Sequence, residues 1–505
     1  MKLNENLFKT INSILFKYKE YLLVGLIIFL AFSIRMGILM HTVDFHGVSN
    51  GKILEAQMIL NDLDLKFLAP VHPPVHMLFL IIGMKLFGAF AYVSRGISLG
   101  FGIMTIGILY LYIKLIFDRE IALFSILGIS LYSSHIIYSI IATSETSFHF
   151  FLFLSLYGYE LFRKKRRNYL LLLCGISSGL ASMCRYEGLL IIPLFMFFLL
   201  KNKKDLIKFF VYAFSIPLVW MVANYFIYGK AWEFILTNNF IVPLQISWIR
   251  SQGFNIDFIY KLLFWPKTLI KTLGAGVFYL GIIGIFHCVL NRRIKLLSAV
   301  FVMFFTVFVI NTLRETLYFQ PRYGITLGLI LIPFSIYCVG IIIDKVNSKI
   351  PKWIVLPLLW TMIIPIGTQV LASPLYAPAF AKRTALFLKG ELADSGSVLL
   401  DHCGDEKYRE PIKVLSRINP QRFVLVPKAF NVYGEYAVDY KQFFQDLIAE
   451  NVKTLVYSPY GELKDVLNLN TEKNILQQRQ GFLFRLIYKS DPYYIYSVSE
   501  MEQNE

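Results

Sequence analysis

Three stretches of the sequence gather residues able to do acid–base or phosphate chemistry. The first is His41-Thr42-Val43-Asp44-Phe45-His46, with Glu55 eleven residues after Asp44. A carboxylate just beyond an apolar helix can take a proton from an acceptor hydroxyl or amine. The plainer readings are a helix cap or a carboxylate paired with a lysine. Further along, His72 precedes Pro73-Pro74. Prolines open a helix, and a helix N-terminus beside a histidine suits a phosphate; a structural corner with a hydrogen-bonded histidine fits equally well. The second stretch is Ser144-Glu145-Thr146 at the start of an apolar helix. The helix dipole favours an acid there, which is capping, but this is also the depth of an outward-facing cavity. The third runs from Asn311 to Gly324 and holds Arg314, Arg322 and Tyr323. Arg322 stands at a helix mouth, where a guanidinium can grip phosphate through two parallel N–H bonds; snorkelling to the interface is the competing reading. Arg185-Tyr186-Glu187, between two short apolar runs, reads as an ion pair stabilising a tight turn. Asp62-Leu63-Asp64 has the D-x-D form, too short a pattern to assign a metal. No phosphate-binding glycine loop, nucleophile elbow or zinc-protease motif occurs in a fitting context.

The elements that must position these residues are membrane helices. Of 505 residues, 56% are hydrophobic and 16% charged, and mean hydropathy is +0.57. A soluble chain carries about 25% charged residues. This composition excludes a cytosolic enzyme, a disordered chain and a disulfide scaffold. Net charge is +17. From Ser373 to Glu505 there are 16 Lys and Arg against 17 Asp and Glu, so the remainder holds 34 against 16. The basic excess therefore belongs to the membrane part and reports topology and anionic-lipid binding rather than nucleic acid. The five cysteines form no metal spacing and no readable disulfide framework.

Apolar runs of spanning length fall at 21–40, 95–116, 120–141, 145–162, 169–184, 187–200, 206–227, 272–290, 296–312, 324–342 and 353–372, eleven in all. The run 74–90 is shorter and decides the sidedness. If it does not span, the clusters at Lys17/Lys19, Lys114/Arg119, Arg163–Arg167, Lys201–Lys204, Arg292/Arg293 and Lys345–Lys352 all lie on the cytoplasmic side. If it spans, all but the first lie outside, which the positive-inside rule disfavours. The run is thus expected as a juxtamembrane or re-entrant helix. Outer loops then fall at 41–94, 142–144, 185–186, 228–271 and 313–323, with the N-terminus cytoplasmic. The first run lacks a small-residue cleavage site and reads as a retained signal-anchor. The 228–271 loop, aromatic and basic, reads as interfacial.

From about Ala381 the pattern changes to short β-rich runs at 397–402, 422–427, 453–458, 482–488 and 494–498, with helical patterns at 383–393, 405–417, 438–451 and 460–468. This predicts a membrane domain over 1–372 and a small extracytoplasmic α/β domain over 373–505.

In order and sidedness these pieces resemble one family. An acid follows the first span, and then come His72-Pro73-Pro74, an apolar run ending Leu86-Phe87-Gly88, and Ser94-Arg95 opening a helix. After these stand Glu145, Cys184-Arg185-Tyr186-Glu187-Gly188 and Pro321-Arg322-Tyr323-Gly324. The sequence resembles the GT-C membrane glycosyltransferases over about 20–340, nearest the polyprenyl-phosphate-sugar-dependent branch that includes protein O-mannosyltransferases and the lipid A aminoarabinose transferase. The resemblance implies a mainly α bundle of about eleven transmembrane helices, juxtamembrane helices in the first outer loop, and an active site on the outer face of the cell membrane. It implies a dolichyl- or undecaprenyl-phosphate sugar donor and an acceptor that is a protein, a lipid-linked glycan or an envelope polymer. Asp44 would be the base, with Glu55 in reserve and Glu145 as the second acid. His72, Arg95, Arg314, Arg322 and Tyr323 would hold the donor phosphate. The transfer would invert configuration, no cofactor is required, and a divalent metal is compatible but not indicated.

Three other readings stay open. A flippase of a lipid-linked saccharide also needs many helices and a basic lipid-phosphate site, though no inverted repeat is visible. A ligase or polymerase using a pyrophosphate-linked donor would use paired arginines such as Arg314 and Arg322. A non-catalytic membrane scaffold would have dispensable acids.

Overall fold

A computed structural model describes residues 2–42, 47–62, 72–88, 91–251, 256–291, 294–317, 319–346, 355–362, 379–391, 396–401, 409–416, 418–425, 440–459, 463, 467–471, 476–490 and 493–501. The chain is mainly helical and divides into two compact units. One comprises Met1–His41, Ala69–Phe79 and Arg95–Ser373; the other comprises Thr42–Leu68, Leu80–Ser94 and Pro374–Glu505.

The helices begin with α1 (Lys2–His41), α2 (Gly47–Asp62), α3 (Pro74–Phe87), α4 (Ala91–Ile116), α5 (Arg119–Ser130), α6 (Ser133–Ser139), α7 (Glu145–Lys165) and α8 (Asn168–Cys184). They continue as α9 (Ile191–Leu199), α10 (Lys203–Tyr228), α11 (Glu233–Ser251), α12 (Phe258–Leu273), α13 (Ala275–Leu290), α14 (Lys295–Leu313), α15 (Ile325–Val346) and α16 (Val355–Trp360). Among the described residues five segments are long and apolar enough to cross a membrane: Tyr18–His41, α4, α10, α14 and Pro321–Lys345. Counting each sharply bent helix pair as one span makes seven. The chain is a multi-pass membrane protein. Along α1 the side chains of Tyr21, Leu22, Leu26 and Phe29 are exposed, as a lipid-facing surface requires, since helices satisfy their own backbone groups in hydrocarbon.

Two helices, α2 and α3, stand between the first and second long apolar helices, as expected. At 14 residues and about 1.5 Å rise per residue, α3 falls short of the roughly 30 Å hydrocarbon core. Of the eleven expected spans, 169–184 and 187–200 occur only as shorter apolar helices, and 145–162, although helical, is not among the spanning segments. Two others differ in shape. The run 120–141 is not one helix: α5 and α6 meet at a 63° bend. The break coincides with tertiary partners. The buried Arg35 guanidinium donates to the Ser130 carbonyl at 3.1 Å and to His135 Nδ1 at 2.9 Å. Ser133 Oγ donates to the Thr272 carbonyl at 3.3 Å. The run Ser130-Leu131-Tyr132-Ser133-Ser134 thus finds partners outside its own helix, which lets the ladder open. The run 272–290 begins instead at α13, because the chain turns by 117° between α12 and α13. Gly274 at that corner has φ +84°, and a Cβ there would also crowd Thr361, so glycine fits the corner. The last expected span, 353–372, is described only as α16 and the two residues after it; 363–378 lie outside the described residues.

Small residues set the closest helix approaches. A Cβ on Gly179 of α8 would lie 2.6 Å from the Ala213 carbonyl oxygen of α10, and one on Gly281 of α13 would lie 2.9 Å from the Leu331 carbonyl oxygen of α15. Without a hydrophobic drive between helices in lipid, such close backbone packing supplies the cohesion.

The second unit holds a six-stranded mixed sheet of β1 (Ser397–Leu400), β2 (Phe423–Leu425), β3 (Val452–Tyr457), β4 (Leu476–Arg479), β5 (Phe482–Ser490) and β6 (Tyr493–Glu500). The strand order is β2-β1-β3-β6-β5-β4. β1 is parallel to β2 and β3, and the β3–β6, β6–β5 and β5–β4 pairs are antiparallel. Alternation sorts the core by face. Val398 and Leu400 pack with Ala381, Ala385 and Leu388 of α17 (Ala379–Glu391) and with Ile412 of α18 (Arg409–Ser416). Leu399 packs with Phe443 and Leu447 of α19 (Tyr440–Ala449). Strand β4 was not expected: Leu476-Gln477-Gln478-Arg479 lacks a β-rich signature, and the edge position explains why polar residues are accepted. The expected helix at 460–468 falls largely outside the described residues. Helix α2 from the first loop belongs to this unit.

Candidate functional site

Three chain segments of the membrane unit converge on one carboxylate. The first is the N-terminus of α7, where Glu145 begins the helix and its side chain is only 2% exposed. The second is the end of α8, where Arg185 adopts an extended backbone and stops the helix. The third is a 3-10 turn, Pro321–Gly324, leading into α15. Proline at its first position fixes the entry. Arg185 donates to Glu145 Oε1 at 2.5 Å and to Glu187 Oε1 at 2.8 Å. Arg322 Nε lies 3.7 Å from the same Glu145 oxygen. The Tyr323 ring sits under both guanidiniums, 4.8 Å from Arg185 and 5.5 Å from Arg322, as cation–π contacts require. Burial alone would pull the Arg185 pKa down, but the Glu187 and Glu145 carboxylates outweigh it and hold the guanidinium above its usual value.

These residues line a narrow cleft together with Phe148, His149, Phe308 and Thr326. Its four charged side chains are two arginines and two glutamates, so the ligand-free cleft is formally neutral. Arg185 is engaged twice. Arg322 is held less closely, and its Nε makes no hydrogen bond among the described residues. A guanidinium kept in place by an ion pair and a ring, with N–H groups to spare, is suited to an incoming anion.

Of the residues expected at the site, Glu145, Arg322 and Tyr323 line this cleft; His72, Arg95 and Arg314 do not. His72 is half-buried, just ahead of α3. Arg95 is buried in the first turn or so of α4, and its Nε donates to the Ile140 carbonyl at 2.7 Å. That bond ties α4 to the segment leading into Glu145. Arg314 caps the C-terminus of α14 and is exposed. Glu55 lies on α2 in the second unit, partly buried. Asp44 lies outside the described residues. Among the described residues no group of three or more histidine, cysteine or acidic side chains is arranged to hold a metal.

Sequence reasoning kept Arg185-Tyr186-Glu187 as a turn-stabilising ion pair. The Arg185–Glu187 bridge exists, and Arg185 also reaches Glu145 forty residues away. Its position between apolar helices on the same side as Glu145 was the signal. His149 and Thr326 carried no signal of their own; each follows a recognised residue, Glu145 or Arg322, by one helical turn.

With the helical order, the first-loop helices and the C-terminal sheet in place, the fold is that of the GT-C membrane glycosyltransferases. Residues 71–228, which include Glu145 and Arg185, match the family pattern of the dolichyl-phosphate-mannose-protein mannosyltransferases. Among solved structures, ArnT from Cupriavidus metallidurans bound to undecaprenyl phosphate is similar, with TM-score 0.59 and 12% identity over 94% of this chain and 97% of that one. The Archaeoglobus fulgidus oligosaccharyltransferase with zinc and sulfate is similar with TM-score 0.60 and 14% identity, over 86% of this chain and 68% of that one. The archaeal oligosaccharyltransferase AglB, from the same organism, in complex with an inhibitory peptide and a dolichol-phosphate gives TM-score 0.57 and 13% identity over 88% and 69%. No curated protein matches the chain in sequence.

Proposed function

We propose that the chain is an integral-membrane glycosyltransferase that moves a sugar from a polyprenyl-phosphate donor to an acceptor on the extracytoplasmic face. The observation that carries this reading is the buried cleft in which Glu145 holds Arg185 and Arg322 over Tyr323. A multi-pass protein whose buried guanidiniums line a cleft suits a lipid-borne phosphate, because intramembrane charges are kept where they have a partner. Support comes also from ArnT, which binds undecaprenyl phosphate in the same fold.

In this reading Arg322 and Arg185 grip the donor phosphate. Asp44 takes the proton from the acceptor O–H or N–H. The acceptor forms a bond to the anomeric carbon as the carbon–oxygen bond to phosphate breaks, and the electron pair leaves with polyprenyl phosphate. Cations that hold the charge growing on the leaving phosphate lower the barrier. An in-line displacement inverts configuration. Glu145 acts as counter-ion and positioning residue, because its Oε1 is already engaged by Arg185. Glu55 is the reserve base. The N-terminus is cytoplasmic and residues 373–505 form an extracytoplasmic domain.

The test is release of polyprenyl phosphate from radiolabelled polyprenyl-phosphate sugars by purified protein with a membrane acceptor fraction. Arg322→Ala should lose most donor turnover while remaining folded, and normal turnover in that variant overturns the assignment. One alternative is transfer of an oligosaccharide from a pyrophosphate-linked lipid; the likeness to solved oligosaccharyltransferases favours the oligosaccharide part of that reading. Release of lipid pyrophosphate instead of monophosphate would select it.

A further inference from the structure

The cleft continues past Glu145 to a second pair of residues one helical turn deeper. His149 is four residues after Glu145 on α7, and Thr326 is four residues after Arg322 at the start of α15. Residues four apart share a helix face. His149 Nε2 lies 3.1 Å from Thr326 Oγ1. The two segments are thus joined by two rungs, Glu145–Arg322 above and His149–Thr326 below. His149 is 1% exposed and lines the cleft. Its other ring nitrogen, Nδ1, has no hydrogen-bond partner among the described residues. Buried polar atoms are nearly always paired, so an orphan beside a cleft marks a place for a ligand atom or a water.

We propose that His149 Nδ1 is a donor-phosphate contact, a further binding residue beneath the two arginines. The inference rests on the reading of this cleft as the phosphate site. In the proposed arrangement the Thr326 hydroxyl donates to Nε2 and the ring hydrogen sits on Nδ1. Nδ1–H then donates to an oxygen of the phosphate, on the side away from the arginines. An imidazole hydrogen-bonded in this way adds a directed donor without adding a charge to the neutral cleft. The chemical class selected is a phosphate ester on a lipid chain. One competing arrangement uses His135, whose ring centre is 6.3 Å from that of His149 and whose Nε2 also has no partner among the described residues. A water between the two histidines would satisfy both nitrogens and leave the ligand untouched.

Amide replacements separate these cases. The asparagine side-chain nitrogen falls near the place of Nδ1, and the glutamine nitrogen near Nε2. Binding of undecaprenyl phosphate to the full-length protein in phosphatidylcholine nanodiscs is measured for wild type, His149→Asn, His149→Gln and Arg322→Ala, with a melting curve for each. The expected result is near-wild-type affinity for His149→Asn and about tenfold or weaker affinity for His149→Gln, the size of one lost bond to a charged group. The reverse pattern, rescue by glutamine alone, would make His149 a structural rung to Thr326 and overturn the proposal. Wild-type affinity in both would also overturn it, in favour of the water shared with His135. Wild-type affinity in Arg322→Ala refutes the phosphate cleft itself, a failure distinct from either.

Discussion

Replacing Glu145 with glutamine separates a counter-ion from a catalytic base. The side chain is 2% exposed and stands between Arg185, 11% exposed, and Arg322, 14% exposed. At an effective dielectric constant near 20, unit charges about 4 Å apart interact by roughly 4 kcal/mol. Breaking a buried ion pair by removing one partner costs about 3–5 kcal/mol. Arg185 keeps Glu187 at 2.8 Å, so the ligand-free variant should lose about 3 kcal/mol, the low end of that range. The cleft changes from neutral to a formal charge of +1. An entering phosphate then supplies the missing negative charge. Affinity for polyprenyl phosphate should therefore rise by about tenfold or more, worth about 1.4 kcal/mol, and release of that product should slow turnover. The assay is a melting curve of purified Glu145→Gln in nanodiscs with and without undecaprenyl phosphate, paired with a binding isotherm. The variant should melt lower than wild type when empty and gain more on adding lipid. Weaker binding of the lipid by Glu145→Gln would refute the counter-ion reasoning. Unchanged binding with complete loss of transfer would return Glu145 to the role of base.

Other outcomes follow from the same geometry. Asp44→Asn should abolish transfer while leaving polyprenyl-phosphate binding intact, read as lost turnover with an unchanged isotherm; retained turnover moves the base to Glu55, which Glu55→Gln then tests. Gly179→Val should force α8 from α10, where even a Cβ would lie 2.6 Å from a carbonyl oxygen, and lower stability by about 1–3 kcal/mol, seen as a lower melting temperature. Glu315→Ala removes a carboxylate that bridges Arg250 and Lys261 at 2.5 Å each, yet Arg250 is 51% exposed, so the loss should stay under about 1 kcal/mol with transfer unaffected. Arg35→Ala should destabilise by about 1–3 kcal/mol, read as a lower melting temperature, because it leaves the Ser130 carbonyl and His135 Nδ1 at the α5–α6 break without the guanidinium.

Hydropathy carries most of the architecture because lipid imposes it. Every backbone group must be satisfied inside the element, so a span is written as a long apolar run. The short run after Pro73-Pro74 was legible for the same reason. The breaks were not. Leu131–Tyr132 lies among serines inside the spanning-length run 120–141, and only the distant Arg35 and Thr272 show why α5 stops there. The strands were readable where one or both faces are buried. Leu476–Arg479 escaped because an edge strand tolerates glutamine and arginine.

The site divided along similar lines. Glu145 and Arg322 stood out as charges at the mouths of apolar helices. Arg185 looked local because its partner two residues away already explained it; its bond to Glu145 needs the third dimension. Arg95 Nε donates to the Ile140 carbonyl, a bond that sequence does not show.

The most direct measurement is a structure of the full-length protein in nanodiscs with undecaprenyl phosphate. The account predicts phosphate density within hydrogen-bonding distance of the Arg322 guanidinium, in the cleft lined by Glu145, Arg185, His149 and Tyr323. Phosphate density elsewhere, with Arg185 and Arg322 still bound to Glu145 and the cleft empty, would contradict it.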